Sequence, residues 1–232
     1  MRLFCRHRKV IGSQYFARGG DILLLKEACV ENFTDIPAVI RAGAARIELC
    51  DNLAVGGTTP SKGVIAEAIN YCHEHGVPVI VLIRPRKGNY VYTDTEIKIM
   101  EADIFEAQAL GADGISFGVL TPGDQLDLDA MKQLAAAAGG MQLVFHMAFD
   151  QMNFDKQKQT IDWAVAEGYE RILTHGGPLT EPISKTLPHL KQLIAYADGR
   201  ITLLRGGGIT SENCAEIARE LGVSQVHGSQ IA

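Results

Sequence analysis

Seven times in this chain a helical stretch ends in glycine and a short apolar, β-branched run follows within a few residues. The glycines are Gly43, Gly76, Gly111, Gly140, Gly168, Gly199 and Gly222, spaced 33, 35, 29, 28, 31 and 23 residues apart. Glycine suits the position just past a helix because it enters the left-handed region without a Cβ penalty. The spacing is close to the roughly 30 residues of one strand–helix–strand step. A repeated β/α unit accounts for both the punctuation and the period.

The runs after these glycines predict strands at Arg46–Cys50, Pro78–Arg84, Gly114–Val119, Gln142–Ala148, Arg171–His175, Arg200–Arg205 and Gln225–Gly228. An eighth, Leu23–Val30, precedes them. Helices are expected at Thr34–Ala42, Lys62–His75, Thr93–Leu110, Leu128–Ala138, Asp155–Glu167, Ile183–Ala197 and Ser211–Leu221. Strands and helices alternating evenly, with no Pro/Ser-rich linker, point to an α/β fold: a single (β/α)8 TIM-type barrel over residues 21–232. A doubly wound sheet usually has fewer units. Only Ser229–Ala232 follow the last strand. The eighth helix is therefore expected to be short or absent, with the uncovered side closed by a second subunit of a homo-oligomer, a dimer in the simplest case.

Composition narrows the class. The chain is 47% hydrophobic and 21% charged, which suits a globular protein that needs no disulfide or metal staple. Its formal charge of −5 is uneven, because residues 1–20 hold five basic side chains and no acidic one. The remainder carries 17 basic against 27 acidic residues, a balance of −10 that argues against nucleic acid as a partner. Met1–Gly20 has neither a helical nor a strand period and lacks the apolar stretch of a signal peptide. It reads as a disordered extension ahead of the barrel. No apolar run approaches the roughly 18 residues of a membrane span. The five cysteines, Cys5, Cys29, Cys50, Cys72 and Cys214, contain no CxxC pair and fit reduced thiols in the cytoplasm. Cys72, His73 and His75 lie at a helix end, where a solvated face is the simpler reading than a metal cluster.

In such a barrel the chemistry sits at the C-terminal ends of the strands, and side chains alternate between the axis and the helices. If Ile47 and Leu49 face the helices, Glu48 and Cys50 face the axis. The same parity turns Glu27 and Cys29 inward from strand one, Arg84 from strand three, His146 from strand five if Phe145 and Met147 pack on helices, and, less directly, His227 from strand eight if Val226 packs outward. His175 and Arg205 join the ring less directly. Charges at that depth are costly unless they pair with one another or meet a polar ligand.

Two chemistries fit this ring. Cys29 and Cys50 end adjacent strands about 4.8 Å apart with the same parity, so their thiolates could share one soft ion, and buried packing is the other use of such cysteines. Alternatively, the barrel is an enzyme acting on a small anionic metabolite, phosphorylated or carboxylate. Glu48 or His146 would then be the general base, Arg84 and Arg205 would clamp the anion, and Gly206, Gly207 and Gly208 would bind phosphate through backbone amides. Glu27 and His227 would line that ligand site.

Several segments resemble one known family. They are Glu-Ala-Cys-Val-Glu at 27–31, Arg-Ile-Glu-Leu-Cys-Asp-Asn-Leu at 46–53, Gly-Gly-Thr-Thr-Pro-Ser at 56–61 and Ile-Arg-Pro-Arg at 83–86. Asp-Gly-Ile-Ser-Phe-Gly-Val-Leu-Thr at 113–121, Phe-His-Met-Ala-Phe-Asp at 145–150, Arg-Ile-Leu-Thr-His-Gly-Gly at 171–177 and Gly-Gly-Gly-Ile at 206–209 continue the series. In order from about residue 24 to the end, these resemble the CutC copper-homeostasis proteins. The resemblance implies a cytoplasmic (β/α)8 barrel, usually oligomeric, with a role in copper tolerance. It also implies Cu(I) binding at cysteines, which fall here on Cys29 and Cys50. Residues 1–20 have no counterpart in the family pattern.

Overall fold

The computed structural model describes residues 24–232. The expected extension over residues 1–20 lies outside them, as do Leu23 and Cys5. Eight parallel strands close into a barrel in sequence order. They are β1 (Leu25–Glu31), β2 (Arg46–Cys50), β3 (Val79–Leu82), β4 (Gly114–Phe117), β5 (Gln142–Phe145), β6 (Arg171–Thr174), β7 (Thr202–Arg205) and β8 (Gln225–Gly228). Between them run α1 (Ile36–Arg41), α2 (Lys62–Glu74), α3 (Asp94–Ala109), α4 (Leu128–Ala137), α5 (Phe154–Ala166), α6 (Ile183–Ala197) and α7 (Cys214–Leu221). Among the described residues no helix follows β8.

Local chemistry sets the element ends. All seven punctuating glycines have positive φ, from 67° to 97°, which is why the sequence period could be read from them. Helix starts are capped by side chains that accept the first free N–H groups: Ser61 for α2, Asp127 for α4 and Asn153 for α5. Thr93 and Glu96 form a reciprocal capping box on α3.

β3 to β7 are all shorter than expected, and in two of them this matters for the site. β3 stops at Leu82, ahead of Arg84 and Pro85, and β5 stops at Phe145, where a 3-10 turn over Met147–Gln151 begins. His146 starts that turn by accepting the Ala148 N–H at Nδ1 (3.2 Å). Arg84 and His146 therefore sit just above their strands.

Outside the sheet, Ile47, Leu49, Val79, Val81, Ile115 and Phe117 pack against the helices in one continuous core. Inside it the filling is divided. Ile80, Val144, Leu173 and Leu204 form an apolar plug contributed by β3, β5, β6 and β7, with Met147 against it. On β8, β1 and β2 the buried interior is instead polar, with His227, Glu27, Arg46 and Glu48. Cys72, expected on a solvated face, belongs to the helix-side core because α2 turns it inward, while exposed His73 meets Asp113 (2.9 Å).

Candidate metal and ligand site

Strand register brings the two cysteines together. Cys29 pairs across the sheet with Glu48, and Glu31 with Cys50, so the cysteine side chains project from neighbouring steps of adjacent strands. Their Sγ atoms are 3.7 Å apart, and the Cys50 Sγ lies 3.8 Å from Glu48 Oε2. Cys29, Glu48 and Cys50 each present one ligand atom, all within 4.8 Å of one another, a group that could hold a metal ion. Two ligands at the usual metal–thiolate length of about 2.3 Å are about 3.7 Å apart when they subtend a near-tetrahedral angle and about 4.6 Å apart when they are collinear. The observed spacing thus suits bent, shared coordination without movement. A collinear two-thiolate arrangement would need the sulfurs to part.

Beneath the cysteines lies an ion network. Glu27 accepts from Arg46 Nε on one side and lies 2.8 Å from His227 Nδ1 on the other, while His227 Nε2 is 3.6 Å from Glu48 Oε2. Arg46 continues to Gln225 (2.9 Å), and Arg171 reaches Gln142 (2.7 Å) at the lower end of the barrel. Burial by itself would raise the Glu27 carboxyl, but Arg46 and His227 hold it well below the usual carboxylate range. Glu48 lacks such a guanidinium. Burial, reinforced by the negative charges of Cys29 and Glu27, pushes it up to about 8. Burial opposes protonation of His227, yet Glu48, Cys29 and Glu27 together keep it charged well above the ordinary histidine range. The thiols share one proton: the Cys50 S–H donated to Cys29 favours Cys29 as thiolate, at about 5, and holds Cys50 as thiol.

Above this network opens a cavity of about 590 Å³. Cys29, Glu48, Cys50, Arg84, His146, Gly207, Gly208 and His227 all line it, as the sequence suggested. Four expected members stand elsewhere. Glu27 is not in the lining, because its two ion-pair partners hold it at the level below. Gly206 is excluded too. A Cβ there would come within 2.8 Å of Leu173 and Met147, so it is a close-approach glycine under the rim. Arg205 faces away from the axis, because Leu204 is the β7 residue in the interior plug. Its guanidinium meets His175 Nδ1 (2.9 Å), and His175 sits behind the rim with Nε2 against the Glu181 carbonyl (3.0 Å). Neither of these two lines the cavity.

Arg84 lines the cavity, but its guanidinium is occupied. Nη1 donates to the carbonyls of Val55 (3.1 Å) and Gly57 (2.6 Å), and Nη2 to that of Gly88 (3.0 Å). It ties the loops after β2 and β3 together and stacks over Tyr90 at 5.2 Å. Only its buried Nε lacks a partner. His146 is buried against Tyr90 (ring centroids 4.9 Å), and burial beside Arg84 lowers it to about 3, so it is neutral. With Nδ1 accepting from Ala148, the proton is on Nε2, which has no partner among the described residues.

Other lining residues were not singled out from sequence. Tyr90 comes from the loop after β3, and Ser229 and Gln230 from the segment after β8. Met147, expected on the helix side, lines the cavity because the 3-10 turn breaks the strand alternation. Aromatic content in the loop after β3 was the available signal for Tyr90. Ser229 and Gln230 carried none.

Comparison with known proteins places this geometry in context. A CutC protein of Enterococcus faecalis is 54% identical over 208 residues, 90% of this chain and all of its own length. The human copper homeostasis protein cutC homolog is 38% identical over 205 residues, covering 88% of this chain and 72% of its own. A crystal structure of CutC from Streptococcus agalactiae superposes with a TM-score of 0.87 at 50% identity, covering 90% of this chain and 100% of that one. The CutC family profile matches residues 24–232, every described residue from the first strand to the last. With strand order, the cysteine pair and the whole barrel falling inside that match, the chain belongs to the CutC family of copper-homeostasis proteins.

Proposed function

We propose that this protein handles Cu(I) as cargo, taking it on Cys29 and Cys50 at the mouth of the barrel. The carrying observation is the 3.7 Å separation of two cavity-lining sulfurs, one of them already favoured as thiolate. Soft thiolates select Cu(I) or zinc over hard cations, and the family's link to copper favours the former. Glu48 stands within reach of the same position as a third donor once it loses its proton. His227 sits below as a fixed positive charge that compensates the thiolates. The sulfurs would hold the ion, and the soft donor set would keep it reduced.

This role requires a reducing compartment, and the cytoplasm expected from the sequence belongs to the same proposal. The four described cysteines are free, as that environment demands. No helix among the described residues is long and apolar enough to cross a membrane. The homo-oligomer expected from sequence, a dimer in its simplest form, is likewise part of the reading, and sedimentation at micromolar concentration tests it. X-ray absorption at the copper edge tests the ligand set: two sulfur neighbours are expected, and a shell of nitrogen and oxygen alone contradicts the proposal.

A further inference from the structure

The loop after β7 holds a row of backbone amides with no acceptor among the described residues. The Gly206 N–H is bound by the Thr174 carbonyl and the Thr210 N–H by Asn213 Oδ1 (2.9 Å). Between them, the amides of Gly207, Gly208 and Ile209 make no hydrogen bond within the described residues, and neither does that of Ser229 beyond β8. All four residues line the cavity. Gly208 and Ser229 are exposed and Gly207 half-buried, so water serves their amides when no ligand is bound, whereas Ile209 is 2% exposed, and an N–H without an acceptor is rare in a buried residue.

The turn is held in this form. Gly207 and Gly208 have φ of 76° and 69°, successive left-handed positions that fan neighbouring N–H groups to one side. Asn213 Nδ2 donates to the Gly208 carbonyl (2.9 Å), which fixes the peptide orientation from outside. A Cβ on Gly207 would meet His175 Nδ1 at 2.5 Å, so the ring that Arg205 holds in place leaves no room for a side chain. His146 lines the same cavity, but its unpartnered Nε2 is itself buried rather than turned to that space.

We infer that the Gly207, Gly208, Ile209 and Ser229 amides form a cradle for the terminal phosphate of a small phosphomonoester. Four free amides on two loops of one cavity offer donors enough for the three terminal oxygens of a phosphate, more than the two of a planar carboxylate need. Amide donors also explain how an acidic chain binds an anion without a free lysine or arginine in the lining. Arg84, the one guanidinium there, serves the loops instead. The cradle occupies the same cavity as the cysteine pair but uses different groups, so it stands independently of the copper reading and supplies the binding half of an enzymatic one.

The test is amide-resolved NMR of the full, copper-free chain under reducing conditions, titrated with glycerol 3-phosphate, inorganic phosphate, glycerol, acetate and chloride at matched ionic strength. Both phosphates are expected to shift the Gly207, Gly208, Ile209 and Ser229 amides together and saturably, with Kd below about 10 mM. Glycerol and chloride are expected to leave them in place. The absence of a saturable shift with either phosphate, or an equal response to chloride, overturns the cradle. A response to acetate alone overturns its assignment to phosphate.

Discussion

His227 Nδ1 lies 2.8 Å from Glu27 Oε1, joining the last strand of the barrel to the first. The residues are cross-strand partners in register, and Glu27 also takes Arg46 from β2, so one carboxylate ties three neighbouring strands. Removing it leaves the buried Arg46 guanidinium without its carboxylate and takes from His227 its nearest anionic partner, leaving Cys29 and Glu48 to balance it. Glu27→Ala is expected to cost about 3–5 kcal/mol, read as a lower urea midpoint. Glu27→Gln, which keeps the shape and loses the charge, should lose most of that as well. A loss under about 1 kcal/mol for Glu27→Ala would show that solvent screens the network more than its burial implies.

The two carboxylates should give opposite pH dependences. Glu27 is depressed, so its contribution is complete above the unfolded value near 4.5 and disappears as acid protonates it. Glu48 is raised to about 8, so the unfolded chain releases its proton first. Stability from this group therefore declines as pH rises from about 4.5 to about 8. Glu48→Gln should flatten that alkaline limb and gain about 1–3 kcal/mol over wild type at pH 9, while matching it more closely at pH 5. Thermal melts across this range decide it, and an alkaline limb unchanged in the variant contradicts the assignment.

Arg84 acts on loops. Its three carbonyl partners lie at Val55, Gly57 and Gly88, a planar fan that lysine cannot reproduce. Arg84→Lys is expected to cost about 2 kcal/mol. It should also speed amide exchange over residues 53–57 and 86–90 while the strands remain protected. Uniformly faster exchange would mean that the residue supports the barrel as a whole.

The barrel was readable because its signals are local. Left-handed glycines punctuate each helix, and β-branched runs mark each strand. Parity also placed Cys29, Glu48, Cys50, Arg84, His146 and His227 at the mouth, since alternation needs only one apolar neighbour to set its phase. It failed where that phase was ambiguous. Leu203 and Leu204 are both apolar, so nothing in β7 indicated that Arg205 points away from the axis. Height is a second blind spot: Glu27 has the right parity but sits a layer too low to line the cavity, a matter of barrel stagger. The amide cradle was legible only as a run of glycines, because unpaired backbone donors depend on which acceptors the fold brings near.

Cys29 and Cys50 are proposed to hold copper together. Anaerobic titration with Cu(I) against a chromogenic competitor tests it most directly, on wild type and on Cys29→Ser/Cys50→Ser, with circular dichroism confirming that both are folded. About one ion per wild-type chain is expected, and its loss in the double variant, because hydroxyls are poor ligands for a soft cation. Equal stoichiometry and affinity in the two proteins would contradict it.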